Sequence, residues 1–265
     1  MKRVIWSAAA LVAMVAGLAQ SHAHFFWLQP DSYRTLDSKE LVVRLFIGHA
    51  DKLREGVHVR FAFKRFVAVG PKGTVTVRGK LRGKPAGRVN LKGKGVHTLV
   101  YESRHTNSRI ELAKFTKYLR EKGLQSIIAE RARRGESKKD GNESYARNCK
   151  ALVRVGNGSR GYQRRVKLPL ELTPLSNPFR ARRNVRFVLE RDGSPLAGAK
   201  VELISLDAKS KDALTSAITD AKGLVTFKIP KPGRWMLSSI FMRRAQKPIT
   251  GDWESFWANL TFEAR

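Results

Sequence analysis

Six histidines, one cysteine and a sparse set of carboxylates are what this chain offers for ligand or acid–base chemistry. The stretch SHAHFFWLQP, residues 21–30, carries the sharpest possibility. If a leader is removed after Ala23, His24 becomes the first residue, and its α-amine and imidazole form a chelating pair on one residue. A second imidazole would complete a three-nitrogen set that suits Cu(II), whose tetragonal preference for nitrogen is strong, and Ni(II) with help from backbone amides. A free amine titrates near ~8, so a metal displaces its proton more readily than it would from a lysine. The best second ligand is His49, at the end of a strong strand in IGHADK, and Asp51 two residues on could add an oxygen. The competing reading has His49 closing its strand through local hydrogen bonds. His105, in the loop SRHTNSR, is a further candidate ligand if it swings toward the site, and otherwise a solvated side chain. His97 alternates with Leu99 and Tyr101 and is expected to be a half-buried structural residue, whereas His58 shares a face with Arg60 and is expected to be exposed.

Conventional catalysis finds little support. The chain has no Gly-x-Ser-x-Gly elbow, no His-Glu-x-x-His and no phosphate-cradling glycine loop. Cys149 is alone, so no intramolecular disulfide can form, and it reads as a small buried hydrophobe rather than a reactive thiol. Glu111, Glu171 and Glu254 are explained by helix capping and local salt bridges. Trp253, Phe256 and Trp257 are aromatic enough to stack on sugars, but sealing the last strand against the core is the simpler role. A binding protein is therefore expected ahead of an enzyme.

The elements around these residues begin with a leader. Lys2 and Arg3 precede an apolar run from Val4 to Ala19, and Ser21 and Ala23 are small residues ahead of a cut. This is signal-peptide grammar for residues 1–23, with an uncleaved anchor as the alternative. No later stretch approaches ~20 apolar residues, so no transmembrane segment is expected after cleavage, and the protein is expected to be periplasmic or extracellular. Lys and Arg number 52 against 22 Asp and Glu, a net charge of +30. Such a field favours polyanions, from lipopolysaccharide and anionic envelope polymers to an anionic membrane surface. Zinc-finger spacing, RNA-binding aromatic signatures and a recognition helix are lacking, so nucleic acid is not an expected partner. The same field repels free cations, so a metal site must win by coordination geometry.

Short strands separated by glycine-rich turns run from Leu41 to Tyr101: LVVRLFIG, HVRFAF, GTVTVRG and GVHTLVYES, with a basic connector KLRGKPAGRVNLKGKG between the last two. In HVRFAF the alternation puts Val59, Phe61 and Phe63 on one face. The period then changes. Leu112, Phe115 and Leu119, and after Gly123 Leu124, Ile127 and Ile128, predict two short helices at about 111–122 and 124–134, with Gly123 as a C-cap. RRGESKKDGNES reads as loop, YARNCKALVRVG as a helical turn running into a strand, and VKLPLELTPL as a strand. Near LSNPFRARR the texture shifts to strands punctuated by Asp-Gly and Pro-Gly turns, closing on the strand WANLTFEA. The fold class is mainly β: two antiparallel β-sandwich domains of immunoglobulin or transthyretin type, spanning 24–176 and 177–265, the first carrying the helical pair.

One ordered set of segments goes further: the leader ending in AH, WL-P, IGH, IELAKFTKYLREKGL, ESYARNCKALVRVG, LPLELTPLSNP, PLAGAKVEL, TDAKGLVTF, GRW and DWESFWANLTFE. In that order they resemble a bacterial periplasmic family of unknown function, some members of which accompany nickel and cobalt uptake systems. The C-terminal half is also similar to transthyretin-like and carboxypeptidase-regulatory-like sandwich modules, which are usually accessory. Where that family carries a His before the Met that follows the GRW strand, this chain has Phe241. The resemblance implies a β-rich envelope protein and a metal-uptake accessory role, with a membrane metal transporter as partner. Together these readings give three expectations. The first is a metal-binding accessory for Ni2+, Co2+ or Cu2+ with His24, His49, Asp51 and His105 as candidate ligands. The second is a copper-dependent oxidase using the same N-terminal histidine, and the third a non-catalytic basic module that adheres to anionic envelope polymers.

Overall fold

The computed structural model describes residues 25–48, 53–208, 213–246 and 251–265. The first part of the chain forms β1 (Phe25–Pro30), β2 (Arg34–Thr35), β3 (Glu40–Gly48), β4 (Arg54–Gly56), β5 (Phe63–Gly70), β6 (Gly73–Thr76), β7 (Gly87–Asn90), β8 (Gly95–Ser103) and β9 (Thr106–Ile110). Helices α1 (Leu112–Glu121) and α2 (Gln125–Arg133) follow, then the long strand β10 (Gly141–Val155). The rest is β11 (Leu170–Pro174), β12 (Asn184–Arg191), β13 (Ser194–Pro195), β14 (Lys200–Ser205), β15 (Ala213–Ile218), β16 (Leu224–Lys228), β17 (Gly233–Arg244) and β18 (Trp253–Ala264).

A 10-stranded sheet with the path β15-β14-β17-β18-β10-β8-β5-β6 forms the middle layer. One of its faces carries the sheet of β1, β3, β4 and β7 at one end and the two helices at the other. The opposite face carries the sheet of β11, β12, β13 and β16. The protein is mainly β and packs as β-sandwiches. Segments from both sides of the texture change near residue 176 meet in the middle layer, where β10 and β18 pair in parallel from Glu143 opposite Trp253 to Ala151 opposite Thr261.

In that pairing β10 is covered on both faces. Its Cys149, Ala151 and Val153 face the β1–β3 sheet, while Ala146 and Leu152 face the β11–β12 sheet. A strand buried on both faces shows no alternation of apolar and polar residues. GNES and YARN, expected as loop and helical turn, are both strand, and the basic connector contains β7. The segment 58–62 is also not a strand. A 3-10 turn at Arg60–Ala62 rotates Phe61 outward to 64% exposure, and His58, expected outside, is buried. The His58 imidazole packs edge-on against Phe63 at 5.3 Å, and its Nδ1 donates to the Ala86 carbonyl at 2.8 Å.

The helices lie where the 3.6 period puts them. Phe115, Tyr118 and Leu119 are the buried stripe of α1. At its end Gly123 takes a φ of 72°, and the bonds Gly123 N→Arg120 O and Leu124 N→Leu119 O, 3.1 and 2.9 Å, form a Schellman cap.

Between the middle layer and β11 lies a buried ion pair. Lys150 Nζ donates to Glu171 Oε1 at 2.8 Å and to Thr173 Oγ1 at 3.1 Å, and Glu171 also accepts from the backbone of Val166 and Leu168. Burial pushes the Lys150 amine below its usual value, against the pull of Glu171. Glu171→Ala strands a buried cation and is expected to cost about 3–5 kcal/mol in urea denaturation, whereas Lys150→Met with Glu171→Leu recovers most of it. Equal losses in the single and double variants would contradict this arrangement.

Candidate functional site

Phe25, Trp27 and Leu28 at the start of the described chain are all buried. The Trp27 ring stacks on Phe46 at 5.6 Å, and the Lys122 ammonium, paired with Glu202 at 2.8 Å, sits 4.5 Å above the Phe25 ring. The middle layer holds the backbone of β1 directly. Asn259 Nδ2 and Cys149 Sγ donate to the Phe26 carbonyl at 2.6 and 3.3 Å, and Thr261 Oγ1 donates to the Leu28 carbonyl at 2.8 Å. On its other edge β1 pairs with β3 in an antiparallel ladder whose last described pair is Phe25 opposite Gly48. His24, His49 and Asp51 lie outside the described residues. Among the described residues no group of three or more His, Cys, Asp and Glu is gathered to hold a metal ion. Cys149 is fully buried, and burial pushes its thiol up to about 12, which agrees with an inert structural role.

His105 stands in the turn between β8 and β9, with Nε2 3.3 Å from Glu254 Oε1 and its ring edge-on to Phe256 at 5.3 Å. Glu254 also takes the Arg243 guanidinium at 2.8 Å. Successive side chains of a strand point to opposite faces. Glu254 and Phe256 therefore face away from the side on which Asn259 and Thr261 grip β1. His105 is half-buried in an ion-pair cluster on the far side of the middle layer from β1. His97, buried as a structural residue, lies with Nε2 2.8 Å from the Gly93 carbonyl.

Glu111 and Glu143 make their contacts within the fold. Glu111 precedes α1 without a side-chain cap bond and pairs with Lys114 at 3.0 Å. Glu143 is buried, accepts from Tyr118 Oη at 2.9 Å and from Ser255 Oγ, and burial pushes its carboxyl up. Beside it Tyr118 stacks on Trp257 at 5.8 Å, and the Arg147 guanidinium lies 4.1 Å over the same indole. Trp253, Phe256 and Trp257 are buried, so they seal the final strand and are closed to sugars.

A feature that histidine-led reasoning missed lies elsewhere. No Asp or Glu occurs between Gly56 and Tyr101, a signal present in the sequence as an absence. There a groove of about 1020 Å³ runs between β6 and β7, lined by Arg78, Lys80, Lys84 and Lys92 among others. Glu40 is the acidic residue of that lining, and it is paired with Arg88 at 2.8 Å.

The fold and these sites define a mainly β, layered protein with a short helical pair, a tightly anchored first strand and a basic groove. The chain belongs to the family described as Domain of unknown function (DUF4198), which matches residues 21–243. No curated protein matches the chain. Among solved structures, the D0–D1 domain of Intimin is similar at 10% identity, covering 89% of this chain and 96% of that one, with a TM-score of 0.21. The Yersinia pseudotuberculosis adhesin InvE is similar at 13% identity over 92% of this chain and 59% of that one, TM-score 0.21. A Salmonella alpha-2-macroglobulin mutant is similar at 11% identity over 91% and 15%, TM-score 0.23.

Burial holds the His105 imidazole below its usual 6.5, opposed by Glu254 and assisted by Lys64, Arg243 and Arg191. His97 is lowered in the same way, burial first. A histidine lowered in the folded state binds its proton first in the unfolded state, so stability falls as pH drops from about 6.5 through the native value. NMR titration is expected to place His105 below 6.5, and lower still in Glu254→Gln, which removes the opposing charge. A value that rises in that variant would contradict the pairing.

Proposed function

We propose that this protein is an exported transition-metal-binding protein of the cell envelope that handles nickel, cobalt or copper for an uptake or homeostasis system. Its ligands are the amine and imidazole of His24 and the imidazole of His49, with Asp51 as a source of oxygen. The observation that supports this most is the end of the β1–β3 ladder. Phe25 pairs with Gly48, so the chain segments that carry His24 and His49 join neighbouring strands at the same end of the sheet. The three carbonyl contacts from Cys149, Asn259 and Thr261 hold β1 against the middle layer up to that end, so a ligand attached there is borne by a packed strand. Three nitrogens of this kind suit Cu(II) and Ni(II). A membrane metal transporter is the partner this reading requires. The leader over residues 1–23 supplies both the export and, on removal, the free amine.

Intact mass of the protein isolated from the envelope is expected to put the N-terminus at His24; any other terminus removes the chelate. In calorimetric titrations with Cu2+, Ni2+ and Co2+, His24→Ala and His49→Ala are expected to weaken binding by at least ~10–100-fold, given the dependence of such sites on each ligand. His105→Ala leaves affinity unchanged, because that residue sits with Glu254 on the far side of the middle layer. Affinity also falls with acidification through the amine and imidazole ranges, about 8 and about 6.5, since both ligands must be deprotonated. Equal affinity in wild type and both ligand variants would overturn the reading. Copper-dependent peroxide production with ascorbate, lost in His24→Ala, would move it to the oxidase chemistry.

A further inference from the structure

Two loops are bonded to each other beside the basic groove. The first is the 3-10 turn Arg60–Ala62, closed by Ala62 N→Val59 O at 2.9 Å. The second is a tight turn over residues 80–83, closed by Gly83 N→Lys80 O at 2.8 Å, in which Arg82 takes a φ of 58°. Backbone bonds tie one to the other: His58 N→Gly83 O at 3.1 Å and Arg82 N→His58 O at 2.7 Å. The buried His58 imidazole, bonded to the Ala86 carbonyl, lies beneath both. This base holds the two loops in fixed relation, and each offers one large apolar side chain to solvent. Phe61 is 64% exposed and Leu81 66% exposed.

Single exposed hydrophobes are ordinary on a protein surface and need no explanation. Here there are two, on loops bonded to each other, and the residues around them are cationic. Lys80, Arg82 and Lys84 are exposed, and the surrounding run from Gly56 to Tyr101 contains no acid to neutralise them. Through Lys80 and Lys84 this tip is continuous with the basic groove. Apolar side chains at the corners of turns, ringed by lysine and arginine, match the two layers of an anionic bilayer surface: acyl chains below, phosphates above. A hydrated polyanion would use the charges and leave Phe61 and Leu81 idle. A single-stranded nucleic acid would want aromatic stacking surfaces, and the groove is lined by none.

We propose that the surface formed by residues 58–62 and 79–85 docks on an anionic lipid bilayer, with Phe61 and Leu81 entering the interface and Lys80, Arg82 and Lys84 meeting headgroup phosphates. The proposal is independent of any metal at the β1 end. It is tested on the full mature chain by co-sedimentation with vesicles of phosphatidylcholine alone and of phosphatidylcholine with phosphatidylglycerol. Binding is expected to the mixed vesicles, to be absent with phosphatidylcholine alone, and to weaken steeply with added salt. The variant F61A/L81A is expected to lose at least tenfold in vesicle binding while still binding heparin, a soluble polyanion. The variant K80A/R82A/K84A loses both. Because Phe61 and Leu81 are exposed, thermal unfolding is expected to be unchanged in F61A/L81A. As a second measure, the emission of Phe61→Trp is expected to shift to the blue on adding mixed vesicles. Unchanged vesicle binding in F61A/L81A, or heparin binding without vesicle binding in the wild type, would overturn the proposal; the second result would assign the surface to soluble polyanions.

Discussion

The parallel pairing of β10 with β18 is the constraint on which the rest of the structure depends. Parallel neighbours need a long crossover, and here more than half of the second part of the chain lies between the two strands. Once they pair, β10 and β18 are covered on both sides, and every other layer is built against them. Odd-numbered residues of β18 reach toward β1 and the helices, through Asn259, Thr261 and Trp257. Even-numbered ones, Phe256, Leu260 and Phe262, enter the core against β12. The anchoring of β1, the seat of His105 and the burial of the final aromatic cluster are all consequences of that one register.

The scarcity of acids shapes the surface as much as the core. Glu102, Glu143, Glu171, Glu190 and Glu202 are all buried. Four of them pair with Arg65, Lys150, Arg165 and Lys122 at 2.6–2.8 Å. Buried charges are tolerated only when paired and hydrogen-bonded, so these acids are committed to the interior. What remains outside is unbalanced, most of all between Gly56 and Tyr101. The groove beside β7 and the loops around Phe61 and Leu81 are where that imbalance becomes a shaped surface.

Much of this is legible in the amino-acid sequence. The helical pair followed from the spacing of Phe115, Leu119 and Ile127, and Gly123 as its breaker followed from the absence of a side chain. The turns of the C-terminal half followed from Asp-Gly and Pro-Gly, and Cys149 and the Trp253–Trp257 cluster were expected inside. The failures share one cause. β10 carries Arg147 and Lys150 in a strand buried on both faces, and each of the two is accommodated by a partner distant in sequence. Lys150 needs Glu171, and Arg147 needs the Trp257 indole. The 58–62 segment alternated like a strand, yet His58 found the Ala86 carbonyl, and the chain turned so that Phe61 pointed out.

By itself, the sequence determined the leader grammar, the β-rich class, the two helices, the excess of positive charge and the short list of histidines. These depend on composition and on periodicities that a short window carries. Only the tertiary structure decided that strands from the two halves share one sheet, that β1 pairs with β3 up to Phe25 opposite Gly48, that His105 belongs to Glu254, and that the loops carrying Phe61 and Leu81 are bonded to each other beside a basic groove. Those outcomes depend on pairings between residues far apart in the chain. Such pairings are selected by burial and hydrogen-bond satisfaction over the whole molecule, which no local pattern records.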